Sequence, residues 1–156
     1  MNTQSVVTVR AARPEDEAFV VSLSGRFAET RPAWRGEREV TEGTAVQLRR
    51  AFAEPTEGAA ILIAEDAAGG AVGFAYAVLH DDFFTGELHG HLSEVAVARE
   101  GTGAGAALVR AVEQHFAALG VRFVTLNVNL ANERAGRLYA SLGFAPQVVQ
   151  YVKVLR

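Results

Sequence analysis

Residues 94–119, EVAVAREGTGAGAALVRAVEQHFAAL, restrict the fold more than any other stretch of this chain. The stretch opens on Val95-Ala96-Val97, an apolar run too short and too β-branched to be a helix of its own. It breaks at Gly101-Thr102-Gly103-Ala104-Gly105. It then resumes with Ala106, Ala107, Leu108, Val109, Val112, Phe116 and Leu119 at helical spacing, with Arg110, Glu113, Gln114 and His115 between them. A strand, a glycine turn and a helix bring unpaired main-chain N–H groups and the positive end of a helix dipole to one point. Glycines let the backbone approach an anion with no Cβ in the way. The stretch therefore predicts a pyrophosphate cradle, set against the plainer alternative of a tight turn that binds nothing.

Read as G-x-G-x-x-A, the residues Gly101, Gly103 and Ala106 match a dinucleotide fingerprint. Where an acid should hold a ribose, about 20 residues on, the chain instead reads VRFVTLNVN. Only one further strand-helix-strand unit follows the run, which also counts against a dinucleotide fold. A Walker loop is excluded because no Gly-Lys-Ser/Thr follows the glycines.

The 156 residues predict one domain spanning 1–156, long enough to bury a core. A net charge of −3 gives no general attraction to nucleic acid or to an anionic membrane, and neither is expected as a partner. There is no cysteine, which removes disulfides, thiolate metal sites and a cysteine-based acyl-enzyme; no metal is expected. The start, MNTQSVVTVRAARPEDE, lacks a signal-peptide core, and no apolar run reaches membrane-spanning length, so a cytoplasmic location is expected by default.

In chain order, Ser5 to Ala11 alternates as a first strand. Arg13-Pro14-Glu15-Asp16-Glu17 starts a helix whose buried side would come from Ala18, Val21, Leu23 and Phe27. Thr30 to Gly36 is a loop in which Trp34 is either a pocket lid or a packed anchor, and a second helix runs from about Val40 to Phe52. Ala59 to Glu65 and Val72 to Leu79 form a hairpin around Asp66–Gly70. His80–Glu87 leads into a long strand, His89 to Val97, that feeds the glycine loop. After the central helix come a strand Val121 to Val128, a helix capped by Asn132 and ended at Gly143, and a last strand Gln147 to Val154. The class is α+β: an antiparallel N-terminal meander, a central strand-loop-helix and a closing helix-strand.

Three features in this order resemble the GNAT superfamily of acyl-CoA-dependent N-acyltransferases: SEVAV, EGTGAGAALV and ANERAGRLYASLGF. The last follows N-x-x-A-x-x-L-Y-x-x-x-G-F through Asn132, Ala135, Leu138, Tyr139, Gly143 and Phe144. One position departs from the family pattern. Glu100 stands where an Arg or Gln usually precedes the glycines, with Arg99 beside it to supply a cation.

The resemblance implies a GNAT-like mixed sheet around a central CoA site, with acetyl-CoA as cosubstrate. Its diphosphate would sit on the N–H groups of Gly101, Thr102, Gly103, Ala104, Gly105 and Ala106. Its pantetheine arm would run along Val95, Ala96 and Val97, with Asn132, Ala135 and Tyr139 flanking it. Transfer to an amine would be direct, with the Val95 N–H as oxyanion donor and Tyr139 as acid to the departing thiolate.

The base is open between Glu94, acting through water, and His91, which titrates in the useful range; His89 is third. Simple alternation would put His89, His91, Ser93 and Val95 on one strand face, with Leu92, Glu94 and Ala96 on the other. The acceptor expected is a primary amine on a small molecule or a protein, walled by Trp34–Phe52 and Asp81–Glu87, whose acids Asp81, Asp82 and Glu87 would favour a cation. A homodimer is compatible with this picture. The alternative is an acyl-CoA-binding sensor or scaffold without turnover, which Glu100 would favour.

Overall fold

The computed structural model describes residues 6–155. Among the described residues, five strands form one sheet in the order β1-β2-β3-β4-β5: β1 (Thr8–Ala11), β2 (Ala60–Glu65), β3 (Ala71–Asp81), β4 (Leu88–Val97) and β5 (Val124–Leu126). The first four pair antiparallel, and β5 lies parallel to β4. Within the described residues, four α-helices cover the sheet: α1 (Glu17–Ser22), α2 (Glu37–Ala53), α3 (Ala104–Ala118) and α4 (Glu133–Ser141). This is the mixed α+β sheet that the sequence predicts. No helix among the described residues is long and apolar enough to cross a membrane.

Two cores hold the layers together. On one face, Leu108, Val109, Val112 and Phe116 of α3 meet Ala64, Ala75, Ala77 and Leu92, with Tyr139 of α4 at the margin. On the other, Val20, Leu23 and Leu48 of the α1–α2 layer meet Ile63, Phe74 and Ala96. Phe116 lies so close to β4 that a Cβ at Gly90 would come within 2.4 Å of its ring, so only glycine fits there.

The N-terminal helix differs from expectation. It starts as a 3-10 turn at Pro14–Asp16, runs as α1 for six residues and ends in a second 3-10 stretch, Ser24–Ala28. This change of pitch moves the buried side to Val20, Leu23, Ser24 and Ala28 and leaves Ala18 exposed. Asp16 does more than favour a helix dipole. Its carboxylate accepts from the Arg13 N–H (2.7 Å) and pairs with Arg10, whose guanidinium also reaches Glu65 (2.6 Å). The Arg10 hydrogen bonds hold the Asp16 carboxyl below its usual range.

Other boundaries move too. The second helix begins earlier, at Glu37, because the Glu39 carboxylate accepts from the Gly36 N–H (3.2 Å) and caps it there. Of the first predicted strand, Ser5 lies outside the described residues. The strand expected over 121–128 is ordered as one only at Val124–Leu126, opposite Gly90–Leu92.

Gln147 to Val154, expected as a last strand, pairs with no strand of the sheet among the described residues.

The alternation along β4 is also broken. Tyr76 pairs with Glu94 and Ala77 with Leu92, so Ser93 is an extra residue, a bulge. Leu92 therefore shares the α3 face with Val95 and Val97, while Ala96 packs on the α1–α2 side. Glu94 follows Ala96 and joins His89 and His91 on one face, where simple alternation would have separated them.

Candidate active site

The strand-loop-helix predicted at the centre of the sequence builds the wall of a groove of about 640 Å³. Every residue assigned to acyl-CoA lines it: Val95, Ala96 and Val97, all of Gly101–Ala106, then Asn132, Ala135 and Tyr139. His91 and Glu94 are not in its lining.

Local geometry explains why this groove suits an extended anionic ligand. Gly101 and Gly103 have φ of +78° and +80°, and a Cβ at either would meet nothing within 4 Å. Glycine is required there by backbone conformation rather than by crowding. Gly103 is the N-cap of α3 and offers no side-chain cap, and the first helical bond is Ala107 N–H to the Gly103 carbonyl (3.1 Å). Ala104 has only a long contact to Thr102 Oγ1 (3.4 Å), which leaves the Gly105 and Ala106 N–H groups open to a ligand.

Beside the loop, β4 pairs with β5 only through Gly90–Leu92, so Ser93–Val97 keep a free edge facing the groove. A ligand carrying amides can add to such an edge as another strand would. On the far side, Asn132 caps α4 through its carboxamide oxygen, which accepts from the Ala135 N–H at 3.1 Å, and keeps its NH₂ group available. The residues present thus fit the diphosphate and the amide arm of an acyl-CoA.

Glu100, the departure from the family pattern, is held between two arginines. It pairs with Arg134 of α4 and lies 3.7 Å from Arg26, whose Nε also donates to the Val97 carbonyl (3.2 Å). The acid is neutralised at the mouth of the groove, and it holds two cations there. Sequence reasoning missed both arginines, together with Phe27, Glu29 and Thr30 of the N-terminal 3-10 region and Asn127–Asn129, all of which line the groove. Arg134 stands inside the ANERAGRLY signature and was findable; nothing local marks Arg26.

Two titratable groups flank the β4 bulge. Tyr139 is buried in the groove wall with its ring edge-on to Phe144 (5.9 Å between centroids), and burial pushes its phenol up to about 12. It stays protonated at neutral pH and can donate. Across the strand, burial pushes the Glu94 carboxyl up to about 7, and its Oε2 is enclosed with no hydrogen-bond partner. Tyr76 pairs opposite it, and its phenol is raised by burial and then by the Glu94 charge.

His91 stacks on His80 (4.6 Å), and its Nδ1 lies 2.8 Å from Thr125 Oγ1. The Thr125 hydroxyl donates to the Gly90 carbonyl (3.5 Å), so its oxygen accepts from His91 Nδ1–H and leaves Nε2 as the basic nitrogen. Burial first, then His80 and His89, lowers the His91 pKa. His89 stacks on Phe123 (4.7 Å), with its Nδ1 buried and unpartnered.

Of the expected acceptor walls, Asp82 is occupied otherwise. Its Oδ1 accepts from the N–H groups of Phe84 and Thr85, both at 2.9 Å, and shapes the β3–β4 turn. Trp34 lies in neither core nor groove; it is half exposed, with the Arg35 guanidinium 4.2 Å above its ring.

Comparisons with known proteins agree with this geometry. No curated relative matches the chain in sequence. Solved structures with the same fold include a Pyrococcus furiosus protein classed as an acetyl transferase, at 16% identity and a TM-score of 0.78, covering 96% of this chain and 100% of that one. The aminoglycoside N-acetyltransferase AAC(6')-Iy in complex with CoA aligns at 19% identity and a TM-score of 0.71, over 98% of both chains. A ribosomal-protein-alanine N-acetyltransferase from Brucella melitensis biovar Abortus 2308 aligns at 19% identity and a TM-score of 0.69, over 96% of this chain and 99% of that one. Residues 23–144, from the first helical layer to the end of the ANERAGRLYASLGF signature, match the acetyltransferase (GNAT) family, and the chain belongs to that family of N-acetyltransferases.

Proposed function

We propose that the whole chain works as one domain that moves an acetyl group from acetyl-CoA directly to a primary amine. One observation carries the reading. All residues assigned to acyl-CoA line one groove with a proton-holding Tyr139 in its wall, while a carboxyl poised near neutrality lies on the opposite face of the same strand.

In this reading the glycine loop and the start of α3 hold the diphosphate, with Arg26 and Arg134 beside it. The free edge of β4 aligns the pantetheine amides and presents the Val95 N–H to the thioester oxygen. Glu94 takes a proton from the acceptor ammonium through water, and the neutral amine attacks the thioester carbon. As the tetrahedral intermediate collapses, the carbon–sulfur bond breaks and Tyr139 gives its proton to the sulfur. The products are an amide and free CoA thiol.

Glu94 is preferred to His91 as the base because the bulge at Ser93 sets it nearest the free edge of β4, while His91 is held by Thr125 and His80. The AAC(6')-Iy and Brucella enzymes are named for an aminoglycoside and a protein alanine, so amines as a class, rather than one acceptor, are carried over. The non-catalytic alternative drew its support from Glu100, and the arginines around that residue remove it.

The test is thiol release from acetyl-CoA across a panel of amines. The chain has no cysteine, so thiol detection has no background from the protein. Release with a subset of primary amines is expected, as is a thermal shift with CoA but none with NAD. A CoA shift without release from any amine would leave a binding module instead.

A further inference from the structure

The rim of the groove balances its charges where an anionic ligand would be better served by an excess of cations. Glu100 stands directly before Gly101, at the lip of the glycine loop. One of its carboxylate oxygens accepts from Arg134 at the start of α4, and the other lies 3.7 Å from the Arg26 guanidinium. Arg26 comes from the 3-10 stretch Ser24–Ala28 and also pairs with Glu29 (3.1 Å). All of these arginines and glutamates line the groove, and their charges cancel.

The contacts of Glu100 are of a kind that a ligand can undo. The side chains of Arg26, Glu100 and Arg134 are 32%, 47% and 57% exposed, so water screens their attraction and each pair adds little to stability. Arg26 also has an anchor that does not depend on Glu100, because its Nε donates to the Val97 carbonyl (3.2 Å) at the end of β4. Its guanidinium therefore stays at the rim whether or not the carboxylate holds it. A phosphate offers an arginine more charge and more acceptor oxygens than a carboxylate does. Phosphates that approach the glycine loop thus meet arginines already engaged by an acid.

Taking the groove as the acyl-CoA site, we propose that Glu100 is an internal competitor for the cofactor's phosphates. It holds Arg26 and Arg134 at the rim and yields them when the phosphates arrive, which keeps CoA bound more weakly than the groove would otherwise hold it. The competition bears on turnover. Acetyl-CoA and CoA carry the same phosphates, so Glu100 weakens donor and product alike and leaves the chemical step untouched. Weaker binding of this kind shows mainly as faster release, which clears spent CoA from the groove.

Almost any change in a binding site weakens binding, and here the expected sign is the opposite. In calorimetry on the full chain, Glu100→Gln keeps the side-chain length and removes the charge. It should bind CoA about tenfold more tightly than wild type, with an affinity that falls more steeply as salt is added. Acetyl-pantetheine, which has the thioester arm and no phosphate, should bind both proteins equally; a merely structural role for Glu100 would alter both ligands together. In an Arg134→Gln background the gain should shrink, because Glu100 then has one cation fewer to release. A CoA affinity in Glu100→Gln equal to or below that of wild type would overturn the proposal and make Glu100 a brace of the loop. Equal tightening of acetyl-pantetheine would overturn it too, since phosphates would not be the source of the gain. So would a gain undiminished in Arg134→Gln, which simple repulsion of phosphate by Glu100 would explain. A wild-type chain that binds no CoA at all would instead remove the acyl-CoA reading of the groove, and the proposal with it.

Discussion

The two faces of β4 solve different problems by different means. On the α3 face, the groove offers main-chain groups: open N–H groups at Gly105 and Ala106, and the free edge of Ser93–Val97. On the other face, the offer is side chains: Glu94, Tyr76, and the histidines 80, 89 and 91. Main-chain recognition depends on φ at a few glycines and is indifferent to most substitutions. Side-chain chemistry depends on one atom of one residue. The cofactor half should therefore be tolerant except at its glycines, and the acceptor half sensitive at single atoms.

The sharpest way to break that contrast is Glu94→Gln. Turnover should fall by about 10²–10⁴ while the CoA thermal shift is retained. The wild-type profile of kcat/KM should rise with pH through an ionisation near 7, the value to which burial pushes this carboxyl. Loss of that limb in Glu94→Gln is expected. Its persistence there, with loss in His91→Gln at a lower pH, would hand the role to His91, whose pKa burial lowers.

The same residue makes a stability prediction of opposite sign to its catalytic one. Its folded pKa is raised from 4.5 to about 7, so the group disfavours folding only once the unfolded chain can ionise it. Wild-type stability should be unaffected by Glu94 below pH 4.5 and should fall, by on the order of 3 kcal/mol, as pH rises to 7. Glu94→Gln should melt higher than wild type at pH 8 and equal to it at pH 4; equal melting at both would deny the burial cost.

Tyr139→Phe tests the groove side of the same chemistry. Ring packing against Phe144 is kept and the hydroxyl alone is lost, so turnover should fall on the order of a hundredfold with CoA affinity little changed. Undiminished turnover would leave the thiolate to depart toward water. The smallest effect belongs to the main chain. Gly103→Val, forced to adopt φ of +80°, should weaken CoA binding about tenfold or more, whereas Gly103→Asn, which tolerates that region, should lose much less. Equal losses by calorimetry would mean that side-chain bulk, not conformation, governs the loop.

The groove was legible in the sequence because its parts are consecutive: a β-branched run, a glycine cluster and a helical repeat report their own geometry. Asn132 and Tyr139 came with a compact signature, and the Asn132 cap is present as expected. What was not legible depends on pairing between distant segments. The bulge at Ser93 exists only relative to β3, so alternation within β4 alone put Glu94 and His91 on opposite faces. Arg26 reaches Val97 across 71 positions in the chain, and no local pattern announces it. The C-terminal run had the pattern of a strand, but pattern alone does not supply a neighbour.

That one unpaired residue in β4 also bears on how such a protein can diverge. Under unbroken alternation, Glu94 would fall on the side of Leu92, the face packed against α3. With the bulge, Glu94 falls on the side of His89 and His91, and selection can act on that side apart from the one carrying Val95 and Val97. In the proposed reading, His89 and His91 can vary with the amine while Glu94 keeps its role, and Val95 and Val97 answer to acetyl-CoA. A lineage built on this strand can drift in what it acylates and keep what it acylates with.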